Sequence, residues 1–306
     1  MKISTADRAL EAYLADARAR VDGVLEAWGQ RVGAWWPAPV AAAIRYSLLS
    51  SGKRLRPTLV FAAAEAVGAE GVAAGLAELA AALEVVHAYS LVHDDLPCMD
   101  NDDLRRGRPT THRAFDVPTA VVAGYHMVAL GARVLGAGLT ALALEPEQRR
   151  AIALELFRAA GAGGMIGGQV LDLDAETRPV PADELEAIHG RKTGALIAAA
   201  CVIGALAAGA PRATCEALRG YGVDVGLAFQ IWDDVLDATA TSDQLGKTAG
   251  KDAAGGKATF VTLLGAGAAR AEAERLAARA VDRLRQAGLA SPTLAALAHY
   301  IVTRSN

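Results

Sequence analysis

An all-α fold, built as a single large helical bundle, is what this chain predicts. Three observations carry the prediction. Ala and Leu recur at three- and four-residue spacing, the period of helices that bury one or more faces. Period-2 runs of Val, Ile, Thr and aromatic residues do not occur, and aromatics make up only 5% of the 306 residues. The chain is 53% hydrophobic and 21% charged, so it carries enough apolar material for a large core and too much for disorder.

The spacing predicts helices over 7–28, 40–50, 56–67 and 72–92, with Pro57 suited to the first turn of the third. It continues with helices over 119–135, 147–160, 183–208, 212–237, 259–286 and 293–303. Gly167, Gly168, Gln169 and Asp172 read as a further helix with unusual glycines, close packing being the simple explanation. Gly, Pro or Asp accumulate at 68–71, 101–118, 177–181 and 241–256, which places the breaks. No linker rich in Pro, Ser or Gly divides the chain and no short repeat occurs, so one domain over 1–306 is expected. The longest uncharged apolar run, 195–210, falls short of about 18 residues and ends at Pro211; a buried helix is expected there, not a membrane span.

Bulk properties exclude several classes. A net charge of -3 argues against general nucleic-acid binding. Cys98, Cys201 and Cys215 are odd in number and lack CxxC spacing, which disfavours a disulfide framework or zinc site and fits a reducing cytoplasm. Residues 1–20 mix Lys, Asp, Arg and Glu with apolar residues and lack the apolar core of a secretory signal.

Two acidic clusters stand in apolar helical surroundings, where a desolvated carboxylate is costly without a partner. The first holds Asp94, Asp95 and Asp100, and Asp102 and Asp103 extend it. Asp94 and Asp100 do not share a face of a straight helix; Pro97 is expected to end or distort it and let Asp100 return towards Asp94. The second holds Asp233 and Asp237, spaced i, i+4 on one face, with Asp234 about 100° away. Hard cations would relieve such charge and, so held, can grip a diphosphate.

A diphosphate site also needs cations. Lys53, Arg54 and Arg56 precede or open a helix, where backbone N–H groups attract anions. Arg105, Arg106 and Arg108 follow the first acidic cluster, and Lys192-Thr193 lies further on. Lys247 and Lys257 sit in a Gly-rich loop suited to closing over phosphates. Arg54, Arg108 and Lys251 read more simply as surface charges, and His87 as a satisfied core histidine.

Taken together, GKRLRP, HAYSLVHDDLPCMDNDDLRRGRPTTH, GGQVLD, KTGAL, GLAFQIWDDVLD and GK, in this order from about Tyr46 to Arg304, resemble the trans-isoprenyl diphosphate synthases. The resemblance implies an isoprenoid synthase fold, a homodimer, with both aspartate motifs on opposite walls of a deep central cavity. It implies that Asp94 and Asp100 bind two Mg2+ ions and Asp233 a third, about three per active site. Arg105, Lys192, Thr193, Gln230 and Lys247 would hold the allylic diphosphate, dimethylallyl or geranyl. Lys53, Arg56, His87 and Arg106 would hold isopentenyl diphosphate. Tyr89 and Ser90, just upstream of Asp94, would floor the cavity. An aromatic at the deeper position, as in bacterial farnesyl synthases, implies a C15 product, with C10 and C20 as alternatives.

Two positions depart from the family's pattern. Tyr125 stands where an acidic residue follows Ala123-Gly124, and Trp232 stands before Asp233 in place of Gln or a small residue. Either is a packing change or a narrowing of the cavity. Two competing readings fit the residues less well. A class I terpene cyclase would carry a different second motif and lack the site that GKRLRP suggests. A non-catalytic regulatory subunit would usually lose the aspartate motifs, and both are kept here.

Overall fold

Apolar residues at helical spacing become helices nearly where the sequence places them. The computed structural model describes residues 5–69, 74–176, 178–239 and 258–304. α1 (Thr5–Arg31), α2 (Ala38–Leu48), α3 (Leu55–Ala66) and α4 (Ala74–Asp94) come first. A hairpin of β1 (Leu104–Arg105) and β2 (Arg108–Pro109) and the single turn α5 (Thr111–Ala114) lead into α6 (Val117–Ala141). There follow α7 (Pro146–Ala160), α8 (Met165–Ala175), α9 (Ala182–His189), α10 (Ala195–Ala207) and α11 (Arg212–Thr239). The last three are α12 (Phe260–Leu264), α13 (Ala266–Gln286) and α14 (Pro292–Ile301).

Local chemistry sets several ends. Asp116 caps α6 by accepting the Thr119 N–H, with Pro118 in the first turn. Ser291 does the same for α14 through the Leu294 N–H, with Pro292 beside it. Two of the expected helices are not regular throughout. The 183–208 stretch runs on without a break but carries a π turn, Gly190–Gly194, between α9 and α10. The 259–286 stretch breaks at Gly265, whose φ of +82° ends α12.

The helices segregate into two compact units made of interleaved segments. The first gathers Glu11–Phe61 and Gly71–Glu145. Here α4 runs along α6, and α2 packs on both. Leu79 and Leu83 of α4 and Met127, Leu130 and Val134 of α6 are completely buried, each contributing about 1.5–3 kcal/mol. The second unit gathers Met1–Leu10, Ala62–Glu70 and Pro146–Asn306, with α11 as its central rod against α10, α13 and α14. α10 is buried nearly all round, from Leu196 to Ala205.

Among the described residues, three helices are long and apolar enough to cross a membrane by length and composition alone: Gly75–Asp94, Val117–Ala141 and Ala182–Ala207. Packing covers 78% of the most apolar window in the first and 61% in the third, but only 44% in α6, which leaves that helix an outward apolar face.

Candidate active site

In the first unit, α4 ends at Asp94 and the chain turns sharply through 95–100. The Asp100 N–H donates to the Asp94 carbonyl at 2.8 Å, and Asn101, at φ +48°, donates to Leu96 O at 3.1 Å. Asp100 thus returns to Asp94, as expected from Pro97. Asp95 points inward and is almost fully buried. Burial pushes its carboxyl pKa up, the nearby Asp102 and Asp100 add to this, and Arg105 works against it. The Arg105 Nε donates to Asp95 Oδ1 at 2.7 Å.

The hairpin supplies the cations. Its two-residue turn, Arg106 at φ +54° and Gly107 at φ +73°, matches the right-handed twist of the paired strands. Arg105 faces Asp95, while Arg106 Nη1 donates to Ser51 O at 2.6 Å. His87 on α4 is half-buried beside them. Its pKa is driven well below the ordinary histidine value by burial first, then by Arg56, Arg106, Arg105 and Arg54. Four guanidiniums thus stand within electrostatic range of one ring. Lys53 is half-buried in the segment leading into α3.

Arg54 is a correction. A surface charge was expected; instead it is 5% exposed, at φ +50°. It bonds Glu84 Oε1 at 2.7 Å, Asp22 Oδ1 at 2.8 Å, and the carbonyls of Leu48 and Ser50. Its charged partners lie 30 and 32 residues away in sequence, so nothing local signals its burial. Arg108 is exposed as read, 4.2 Å over the Tyr46 ring. A cavity of about 40 Å3 lies among His87, Leu91, Asp95, Arg105, Arg106 and Thr110. That is room for roughly three waters, lined by both apolar and charged side chains. Tyr89 is buried, its phenol pKa pushed up to about 12 by burial and the Asp94 charge. The Ser90 hydroxyl donates back to His87 O at 2.8 Å.

In the second unit, the π turn presents Lys192 and Thr193. Such turns insert one residue and recur at functional sites. Gly168 of α8 packs against it so closely that a Cβ would lie 2.2 Å from Lys192 N. Asp172, one turn further, accepts the Lys192 ammonium at 2.6 Å. The Thr193 hydroxyl donates to Gln230 Oε1 at 3.0 Å, and Gln230 Nε2 reaches Asp234 Oδ1 at 3.4 Å. Asp234 Oδ2 accepts the Phe260 N–H at 2.9 Å, tying α11 to the start of α12. So Lys192, Thr193 and Gln230 are brought together, whereas Asp234 is an anchor. Asp237 is buried and Asp233 half-buried.

Asp233 is held by a residue the sequence reading missed. Arg304 is buried; its guanidinium bonds the Asp233 carboxylate and lies 4.3 Å over the Phe229 ring. Trp232 donates to Arg304 O at 3.0 Å. Trp232 therefore packs against the segment after α14. A lone arginine carries no local signal of such a role. Lys247 and Lys257 lie outside the described residues.

Among the described residues, no three His, Cys, Asp or Glu stand close enough to hold a metal unaided. The donors of both clusters are carboxylate oxygens, the type hard divalent cations take. Magnesium usually binds through one or two carboxylates, waters and substrate phosphates and not in an all-protein cage, so the arrangement fits it.

Residues 37–288 match the family described as Polyprenyl synthetase. The chain is 44% identical over 275 residues to putative geranylgeranyl pyrophosphate synthase 8, chloroplastic, of Arabidopsis thaliana, covering 88% of this chain and 75% of that one. It is 39% identical over 258 residues to farnesyl diphosphate synthase of Bacillus subtilis (strain 168), covering 83% and 84%. Its fold is similar to a crystal structure of the geranyltransferase from Helicobacter pylori complexed with magnesium and isoprenyl diphosphate. The TM-score there is 0.81 at 29% identity, over 99% of this chain and 98% of that one. The chain belongs to the polyprenyl synthetase family, and it is a prenyltransferase.

Proposed function

We propose that this prenyltransferase condenses isopentenyl diphosphate with dimethylallyl and geranyl diphosphates and releases farnesyl diphosphate. The observation that carries the reading is in the first unit. There the acidic turn at Asp94–Asp100 and the basic set of His87, Arg56, Arg105 and Arg106 are locked together by the Arg105–Asp95 pair. Acid for a cation and base for phosphate oxygens stand within one small region.

In this reading Asp94, Asp95 and Asp100, with Asp233 and Asp237, would hold magnesium, the cation bound in the Helicobacter pylori geranyltransferase. Bound there, magnesium would supply Lewis-acid polarisation of the diphosphate leaving group. Asp95 is already engaged by Arg105, so a metal ion there would compete with that guanidinium. Arg105, Lys192, Thr193 and Gln230 would bind the allylic diphosphate oxygens and stabilise charge as the C–O bond breaks. Lys247 and Lys257 would join them. Lys53, Arg56, His87 and Arg106 would orient isopentenyl diphosphate so that its alkene meets the allylic carbon. Diphosphate departs with the C–O electron pair, a C–C bond forms, and the proton lost from the resulting cation would pass to the departed diphosphate. His87, neutral at ordinary pH, is suited to hydrogen bonding and adds no charge. Tyr89, with Ser90 beside it, would end the hydrocarbon space at C15. A homodimer in the cytoplasm belongs to the same proposal.

A second reading, a C20 product, is favoured by the likeness to the Arabidopsis thaliana protein named as a geranylgeranyl pyrophosphate synthase. The experiment supplies magnesium, isopentenyl diphosphate and dimethylallyl, geranyl or farnesyl diphosphate, and separates the products by chromatography. Farnesyl diphosphate as the end product supports the first reading and geranylgeranyl diphosphate the second. No elongation by folded protein would sink both.

A further inference from the structure

We infer that Tyr125 is a specificity-determining residue, a positioning ring that acts on the end of the product cavity through His93 and Tyr89. The inference rests on the prenyl-elongation reading above and adds a residue to it. Tyr89 and His93 stand i, i+4 on α4, so their side chains are neighbours on one face. Their rings meet edge to face with centroids 5.9 Å apart. Tyr125 of α6 also meets His93, with centroids 5.4 Å apart and the rings at 76°. The rings thus touch in succession, from buried Tyr89, through half-buried His93, to Tyr125 at the surface.

His93 is gripped as the middle member. Its Nε2–H donates to Val121 O at 3.1 Å, because a carbonyl can only accept. Its ring occupies the place of a side chain at Gly124, where a Cβ would stand 2.0 Å from Nε2. With that edge held, Tyr125 is a further ring packed on His93. Tyr125 is 67% exposed, so burying its own area is not what keeps it there. Its structural consequence is the contact with His93. Shortening Tyr125 opens the outer side of His93, and the edge that holds the Tyr89 ring loosens. An aromatic pair of this geometry is worth about 0.5–1.5 kcal/mol, which converts to roughly a 2- to 10-fold change in the ratio of two outcomes.

The test measures the ratio of longer to shorter prenyl products made from isopentenyl and dimethylallyl diphosphates with magnesium. It compares the full chain with Tyr125→Ala, Tyr125→Leu and Tyr125→Phe. The expected result is a shift of about 2- to 10-fold towards the longer product in Tyr125→Ala and Tyr125→Leu. Tyr125→Phe keeps the ring edge and should retain the original ratio. An unchanged ratio in Tyr125→Ala and Tyr125→Leu, or a Tyr125→Phe that behaves like them, overturns the role of Tyr125 while leaving the elongation reading intact. No elongation by the unmodified chain overturns that reading, and this inference with it.

Discussion

Replacing Arg54 by Met tests how much a buried charge holds this fold. The guanidinium is 5% exposed and makes two charge-assisted contacts, to Glu84 at 2.7 Å and Asp22 at 2.8 Å. The two are not equal. The Asp22 side chain is 45% exposed, so water screens its charge and its pair is worth well under about 1 kcal/mol. The Glu84 side chain is 4% exposed and would be left charged without its cation. Breaking a buried pair from one side costs about 3–5 kcal/mol, and two carbonyls, Leu48 O and Ser50 O, lose a donor besides. We expect Arg54→Met to destabilise by about 3–5 kcal/mol. The double change Arg54→Met with Glu84→Leu should recover most of it, since no charge is then stranded. Urea unfolding followed by circular dichroism, compared at a common slope, reads both. A loss below about 1 kcal/mol for the single change, or a double change worse than the single, would refute the reasoning.

Three further outcomes follow from the geometry. Gly168→Ala puts a Cβ within 2.6 Å of two Lys192 backbone atoms, so α8 must move off the π turn. A loss of about 1–3 kcal/mol is expected, with a raised KM for the allylic diphosphate; wild-type melting and kinetics would contradict it. Asp224, 1% exposed, accepts Arg279 and Arg283, each at 2.6 Å. Because both arginines can turn to water, Asp224→Asn should cost only about 1.5–3 kcal/mol, read by urea unfolding, with faster amide exchange in α13. His87 has a folded pKa well below its unfolded value, so below about pH 6.5 the unfolded chain binds the extra proton. Stability is then complete above that pH and falls on acidification, by up to about 1.4 kcal/mol per pH unit from this group. Unfolding midpoints of the chain and of His87→Gln, taken between about pH 7.5 and 5.5, should diverge on the acid side; parallel curves would remove the assignment.

The helices were legible because the apolar spacing of each one is set by the face it buries. α4 and α11 begin and end within two residues of the expected positions, while α6 begins within two but runs six residues past its expected end. The π turn was not legible. One extra residue at Gly190–Gly194 leaves the Ala and Leu spacing of α9 and α10 intact on either side. The same limit applied at Gly265, where a single left-handed residue splits a run of helix-forming residues.

The site divides in the same way. Residue type and order in the chain marked Asp94, Asp100, Lys192 and Asp233, because carboxylates and cations in apolar helices require a reason to be there, whereas Gln230 was marked only by the family resemblance. Only the tertiary structure decided what each carboxylate meets. Asp95 goes to Arg105, Asp234 to Phe260 N–H, and Asp233 to Arg304. It also moved Arg54 from the surface to the interior. The physical reason is common to all four. A charge is stabilised by whatever stands within a few ångströms, and these partners lie between 10 and 71 residues away along the chain.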